Sequence, residues 1–197
     1  MINDCLLNEE EIRNRLSSVS PVVASDLDAT RYRRAAVLIS MVCWDDDWHL
    51  LFTRRTDMVN DHKGQVSFPG GALDPVDLNP VEAALREAYE EIGLIPNNVC
   101  VLGQMQDFPT ISQYLVTPVV GRIQEPFEIR LSTSEVSRAF TIPIKWLANS
   151  ANWEEKPYQT SSGEIHQVVF YKEYDGEVLW GITASMTILF LEQIGLL

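Results

Sequence analysis

Glu87, Glu90 and Glu91 stand at i, i+3 and i+4 in the run Arg86-Glu87-Ala88-Tyr89-Glu90-Glu91-Ile92-Gly93. On a helix that spacing puts all three carboxylates on one face. Like charges so placed repel by about 0.2–0.5 kcal/mol per pair unless a cation sits between them. A divalent metal is the natural candidate. Magnesium takes oxygen ligands, keeps several waters and binds through a few carboxylates together with substrate phosphates. Such an ion can polarise phosphoryl oxygens and lower the pKa of a bound water. Arg86 lies four residues after Glu82 and four before Glu90, so it can pair within the helix and hold a ligand carboxylate in place.

The element that must carry these groups is a helix announced by Asn79, Pro80 and Glu82: an N-cap side chain, proline in the first turn, and glutamate at the capping-box position. It should end at Gly93, a left-handed cap. Its other face, Ala84, Leu85, Ala88, Tyr89 and Ile92, is expected to pack into the fold while the carboxylates look outward. Residues 65–68 read as a short strand running into Pro69, Gly70 and Gly71. The two glycines permit a backbone shape that side chains would block and let loop and helix approach the metal site.

Around this unit, residues 8–18 read as an amphipathic helix with Glu9, Glu10 and Glu11 in its first turn, and 20–30 as a connector. Residues 34–44 and 48–53 form an expected hairpin across Asp45, Asp46 and Asp47. That acidic run is a solvated turn, since the glycine and terminal glutamate of a calcium loop are missing. Strands are expected at 99–106, 114–122 and 138–144, with a turn of helix near Trp146. A second hairpin, 166–174 with 177–180, turns at Asp175-Gly176. A closing helix covers 183–194, and Phe170 and Trp180 read as core. The fold class is α+β, an α/β/α sandwich with a mixed sheet. Residues 1–30 are the N-terminal helix and connector packed on the domain formed by 31–197.

The chain carries a net charge of −13, which argues against a footprint on nucleic acid or on an anionic membrane surface. A phosphate-bearing substrate then needs a metal or a local cationic patch, for which Arg55 and Lys63 are candidates. Cys5, Cys43 and Cys100 are widely spaced and odd in number, so reduced thiols in a cytoplasmic protein are expected. No signal peptide or bilayer-length apolar run is read. His49, His62 and His166 show no metal-ligand spacing.

From Gly71 through Asp77 to Arg86-Glu87-Ala88-Tyr89-Glu90-Glu91-Ile92-Gly93-Leu94, the chain resembles the box of the Nudix hydrolases. It differs from the common box in having Asp77 for glutamate and one extra residue before Arg86. Both departures resemble the coenzyme A pyrophosphatase-like subgroup. So does the upstream run of Leu51, Thr53, Arg55, His62, Gly64, Gln65, Val66 and Phe68 through Gly71. Residues 116–121, Glu135-Val136 and 180–184 are also similar to its pattern. Gln113 stands where these proteins have glycine.

The resemblance implies a Nudix-type sandwich with Mg²⁺ or Mn²⁺ held by Glu87, Glu90 and Glu91. It makes Glu87 or a nearby carboxylate the base, Arg86 part of the catalytic helix, and Glu135 a further ligand or base. A lone surface glutamate is otherwise simply solvated. Substrate contacts fall to Arg55, His62, Lys63, Gly70 and Gly71. The implied reaction is hydrolysis of the diphosphate in coenzyme A or acyl-CoA to 3′,5′-ADP and (acyl-)4′-phosphopantetheine. Two alternatives stand beside it: a Nudix pyrophosphatase for ADP-ribose, NADH or another nucleoside diphosphate derivative, and a non-catalytic Nudix-fold nucleotide sensor. The expected partner is a small nucleotide-diphosphate, with no nucleic acid and no membrane; the sequence leaves open monomer or homodimer.

Overall fold

A computed structural model describes residues 8–17, 31–44, 47–56, 64–159 and 163–197. The expected connector at 20–30, and Asp45 and Asp46 of the acidic turn, lie outside them. The longest strand, β1 (Arg33–Trp44), pairs antiparallel with β2 (Asp47–Arg55), as the two apolar runs imply. β1 is apolar almost throughout because both its faces are covered. Ala36 and Leu38 face one core and Ile39 and Met41 the other.

Around this hairpin the sheet adds β3 (Val66–Ser67), β4 (Gly70–Ala72), β5 (Val99–Gln104), β6 (Phe108–Pro109), β7 (Tyr114–Ile123) and β8 (Val136–Pro143). β7 runs parallel to β1, from Arg33 opposite Tyr114 to Met41 opposite Arg122, while β5, β6 and β8 add antiparallel, so the sheet is mixed. α2 (Pro80–Ile92) covers one face, packing Ala83, Ala84, Ala88 and Ile92 on Ala36, Leu38 and Val119. The other face is covered by α1 (Glu9–Ser17), α4 (Gly181–Gln193) and a separate pair of strands, with the short α3 (Ile144–Leu147) between. α1 is fastened to β5: Arg13 Nη1 donates to the Val101 carbonyl at 2.7 Å, and Leu16 lies against Gly103.

The second sheet corrects the expected hairpin. β10 (Ile165–Tyr171) pairs along its whole length with β9 (Trp153–Gln159), while the 177–180 segment makes only isolated bridges, Phe170 to Trp180 and Tyr174 to Glu177. β9 reads Trp-Glu-Glu-Lys-Pro-Tyr-Gln and is largely exposed, so it lacks the apolar alternation that marks a half-buried strand. Phe170 and Trp180 stack in parallel at 5.5 Å but are half-buried, not core. The Asp175-Gly176 turn does form, both residues at positive φ (51° and 80°). It delivers the buried Glu177 carboxylate between Arg54 and Arg138, which stand opposite each other on β2 and β8 and would otherwise repel.

Gln113 adopts φ 62°, the left-handed region that glycine occupies freely, with its carbonyl accepting from Arg33 N–H at 2.9 Å. Cys100 is a free thiol, whereas Cys43 is disulfide-bonded, which corrects the expectation of reduced thiols throughout. Three widely spaced cysteines offer no spacing from which such a pairing can be read. Among the described residues no helix is long and apolar enough to cross a membrane.

Candidate active site

α2 begins and ends where its residues dictate. The Asn79 side chain accepts from Glu82 N–H at 3.0 Å, and Glu82 Oε2 accepts from Leu78 N–H at 3.0 Å. At the other end Gly93, at φ 70°, donates to the Tyr89 carbonyl at 2.9 Å, and Leu94 N–H reaches Ala88 at 3.3 Å. With Glu82 engaged at the cap, the expected Glu82–Arg86 pair does not form.

The small face of α2 lets it sit close to β1, and two glycines let β4 fit beside both. A Cβ on Gly70 would lie 2.4 Å from the Ala36 carbonyl oxygen, and one on Gly71 would lie 2.6 Å from the Glu87 carboxyl carbon. Real Cβ atoms do not come so near, so Gly70, which faces backbone at φ 155°, needs to be glycine, while a side chain at 71 would have to push the Glu87 carboxylate aside. Glu87 is thereby brought against the β4 backbone.

The three carboxylates do not all look outward. The Glu91 side chain is only 3 % exposed, while Tyr89, assigned to the packed face, is 55 % exposed. Helical geometry explains the exchange, since Glu91 follows Ala84 and Ala88 at i+7 and i+3 and so belongs to their buried stripe. Glu91 Oε2 accepts a long bond from Gly70 N–H at 3.4 Å, and Oε1 lies 3.8 Å from Arg55 Nη1. Burial first, and then the Glu87 charge, pushes the Glu91 carboxyl up to about 8. Glu87 is also raised, chiefly by burial.

Arg86 is the hub. Its Nε and Nη2 clasp both oxygens of Asp77 at 3.1 and 2.9 Å, Nη2 also donates to the Ala72 carbonyl at 3.2 Å, and Nη1 reaches Glu87 at 2.9 Å and Glu90 at 3.0 Å. This bidentate bond holds Asp77 below the usual carboxylate range and Arg86 above its own. The residue that departs from the common box is thus the main anchor of Arg86. Neither spacing nor composition signalled that pairing.

Glu135 is exposed just before β8, and its charge acts on both Glu87 and Glu91. Arg55 is the described candidate for a substrate cation; its buried Nε has no hydrogen-bond partner. His62 and Lys63 lie outside the described residues. Of the other histidines, His49 bonds Thr141 at 3.1 Å and His166 lies 3.5 Å from Glu164. Among the described residues no three His, Cys, Asp or Glu side chains converge as a ready-made metal cluster. Arg86 draws Glu87 and Glu90 to itself, while Glu91 is buried apart. The donor set nonetheless suits a hard divalent cation: it is all carboxylate oxygen, and one member, the buried Glu91, is costly to ionise alone.

The NUDIX domain family matches residues 32–172. The chain is 36% identical over 154 residues to the Nudix hydrolase NudL of Photorhabdus laumondii, covering 78% of this chain and 81% of that one. It is 35% identical over 162 residues to NudL of Yersinia enterocolitica, covering 82% of each. In fold it is similar to a MutT/nudix family protein from Enterococcus faecalis, with TM-score 0.53 and 12% identity, covering 94% of this chain and 73% of that chain. With the box residues gathered on α2 and β4, these likenesses show that the chain belongs to the Nudix family of hydrolases, which act on nucleoside diphosphate derivatives.

Proposed function

We propose that the chain hydrolyses the diphosphate linkage of coenzyme A or acyl-CoA, using Mg²⁺ or Mn²⁺ and giving 3′,5′-ADP and (acyl-)4′-phosphopantetheine. Glu87, Glu90 and Glu91 hold the metal. Arg86 is a positioning residue: it anchors the loop through Asp77 and aligns Glu87 and Glu90. Arg55, whose side chain is 30% exposed, offers its guanidinium to the diphosphate, and Glu87 or Glu135 takes the proton of the attacking water. The bound ion would supply charge neutralisation and an acidified water. Gly70 and Gly71 keep the floor low enough for the diphosphate to approach the carboxylates.

The observation that carries the reading is the placement of Arg55, from the upstream run that resembles the coenzyme A subgroup, 3.8 Å from the buried Glu91. One guanidinium beside a carboxylate cluster suits a diphosphate bridged by a cation. Mass spectrometry of products from CoA, octanoyl-CoA, ADP-ribose and NADH, with each metal, is the test. The expected products are 3′,5′-ADP and the phosphopantetheine half. Brisk ADP-ribose turnover with none of the CoA species would sink the substrate assignment, and metal-independent binding without cleavage would favour a sensor.

A further inference from the structure

We propose that the uncharged arm of the substrate, beyond its diphosphate, lies in a trough between the β2–β8 floor and the 124–131 loop, with Ile129 in its wall and Trp44 at its far end contacting an acyl chain. The proposal rests on the coenzyme A reading above. Leu51, Thr53 and Arg55 alternate onto the α2 face of β2, for Leu51 packs in the core with Ala84 and Ala88 and Arg55 reaches Glu91. On β8 the opposite positions are small: Ala139 faces Thr53 and Thr141 faces Leu51. These short side chains leave a cleft of about 480 Å³ on that face, walled by Phe127, Ile129 and Trp44, within the size range of small-ligand sites.

The position of the trough selects one half of the ligand. It begins at the Thr53–Ala139 pair, two residues or about 7 Å along the strand from Arg55. It ends near Trp44, paired with Asp47 a further six residues, about 20 Å, along β2. That is an extended path, suited to a chain rather than a nucleoside. The residues lining the cleft include no Lys, Arg or His and one acid, Glu125, so a second phosphoryl group is disfavoured there while amides and methylenes are accepted. Trp44, at the far end, and Ile129, in the wall, are 57% and 39% exposed, large apolar groups left open to a methylene chain.

The test compares kcat/KM for octanoyl-CoA and CoA in the wild type and in Ile129→Asp, with a thermal melt of each. Since each methylene buried is worth about fourfold, the octanoyl-to-CoA ratio should fall about tenfold or more in the variant. Trp44 fluorescence gives a reading independent of turnover. Octanoyl-CoA added with EDTA present should change the emission of the wild type, and the change should vanish in Trp44→Phe. A ratio within about twofold of wild type in folded Ile129→Asp, with CoA still cleaved, overturns the trough alone. If Ile129→Asp fails to fold, an emission change that persists in Trp44→Phe does the same. Absence of any CoA turnover or binding overturns both the trough and the substrate reading.

Discussion

Replacing Glu91 by glutamine tests whether the buried carboxylate is an electrostatic burden kept for a cation. In the metal-free protein, burial and the Glu87 charge raise the Glu91 carboxyl from 4.5 to about 8. A carboxyl whose folded pKa exceeds its unfolded one favours folding only while protonated. Its contribution is therefore full below about pH 4.5 and is lost as pH rises through 8. Across that window the loss is about 1.4 kcal/mol per pH step, so it reaches about 3 kcal/mol by pH 7 and levels near 5 above pH 9. For a chain of this size about 3 kcal/mol corresponds to roughly 6–12 °C in Tm.

The assay is differential scanning calorimetry from pH 5 to 9 in EDTA. Glutamine is neutral, nearly isosteric, and still able to accept from Gly70 N–H. The two curves should lie close together at pH 5 and diverge as pH rises, the variant being the more stable. Excess Mg²⁺ or Mn²⁺ should raise the wild type at pH 8 and leave the variant nearly unmoved. Parallel curves across the range, or equal metal-induced gains in both proteins, would refute the reasoning.

Gly71→Ala places a Cβ 2.6 Å from the Glu87 carboxyl carbon and should lower metal-dependent kcat/KM by about 100-fold, read by steady-state kinetics; a loss under about threefold would show that Glu87 can move aside freely. Arg86→Lys gives up the two-oxygen clasp on Asp77 and should cost about 1.5–3 kcal/mol in urea denaturation, together with activity. Gln113→Gly relieves a left-handed backbone and should be neutral or stabilising by up to about 1 kcal/mol, whereas Gln113→Val should destabilise by about 2, both read by thermal melts.

Legibility in the sequence followed the strength of the local signal. α2 is written in full, because Asn79, Pro80, Glu82 and Gly93 each act through backbone geometry within a few residues. The β1–β2 hairpin is as clear, since both strands are buried on alternating sides. β9 escaped because an exposed strand carrying Glu154, Glu155, Lys156 and Pro157 has no apolar period. β4 escaped because Gly70 and Gly71 read as a turn, and only the approach of Ala36 and Glu87 makes them strand. At the site, sequence spacing brought the three glutamates together on one helix. It did not reveal that Glu91 is buried or that Arg86 is anchored by Asp77, since both follow from how β4 lies across α2.

Those two features together govern how the site answers a cation. Asp77, Glu87, Glu90 and Glu91, once all are ionised, face Arg86 and Arg55, which leaves two negative charges uncompensated. At neutral pH the metal-free site avoids part of that cost by keeping a proton on Glu91. With its carboxyl at about 8, roughly nine molecules in ten carry that proton at pH 7 and about one in ten at pH 9. A ligand carboxylate must be ionised, so metal uptake should expel the proton. Calorimetric titration with Mn²⁺ in buffers of different ionisation enthalpy should show about 0.9 proton released at pH 7 and about 0.1 at pH 9. In Glu91→Gln the release at pH 7 should fall sharply. Undiminished release from that variant would move the expelled proton to Glu87, the other carboxyl raised by burial, and remove Glu91 as the group whose charge the cation stabilises.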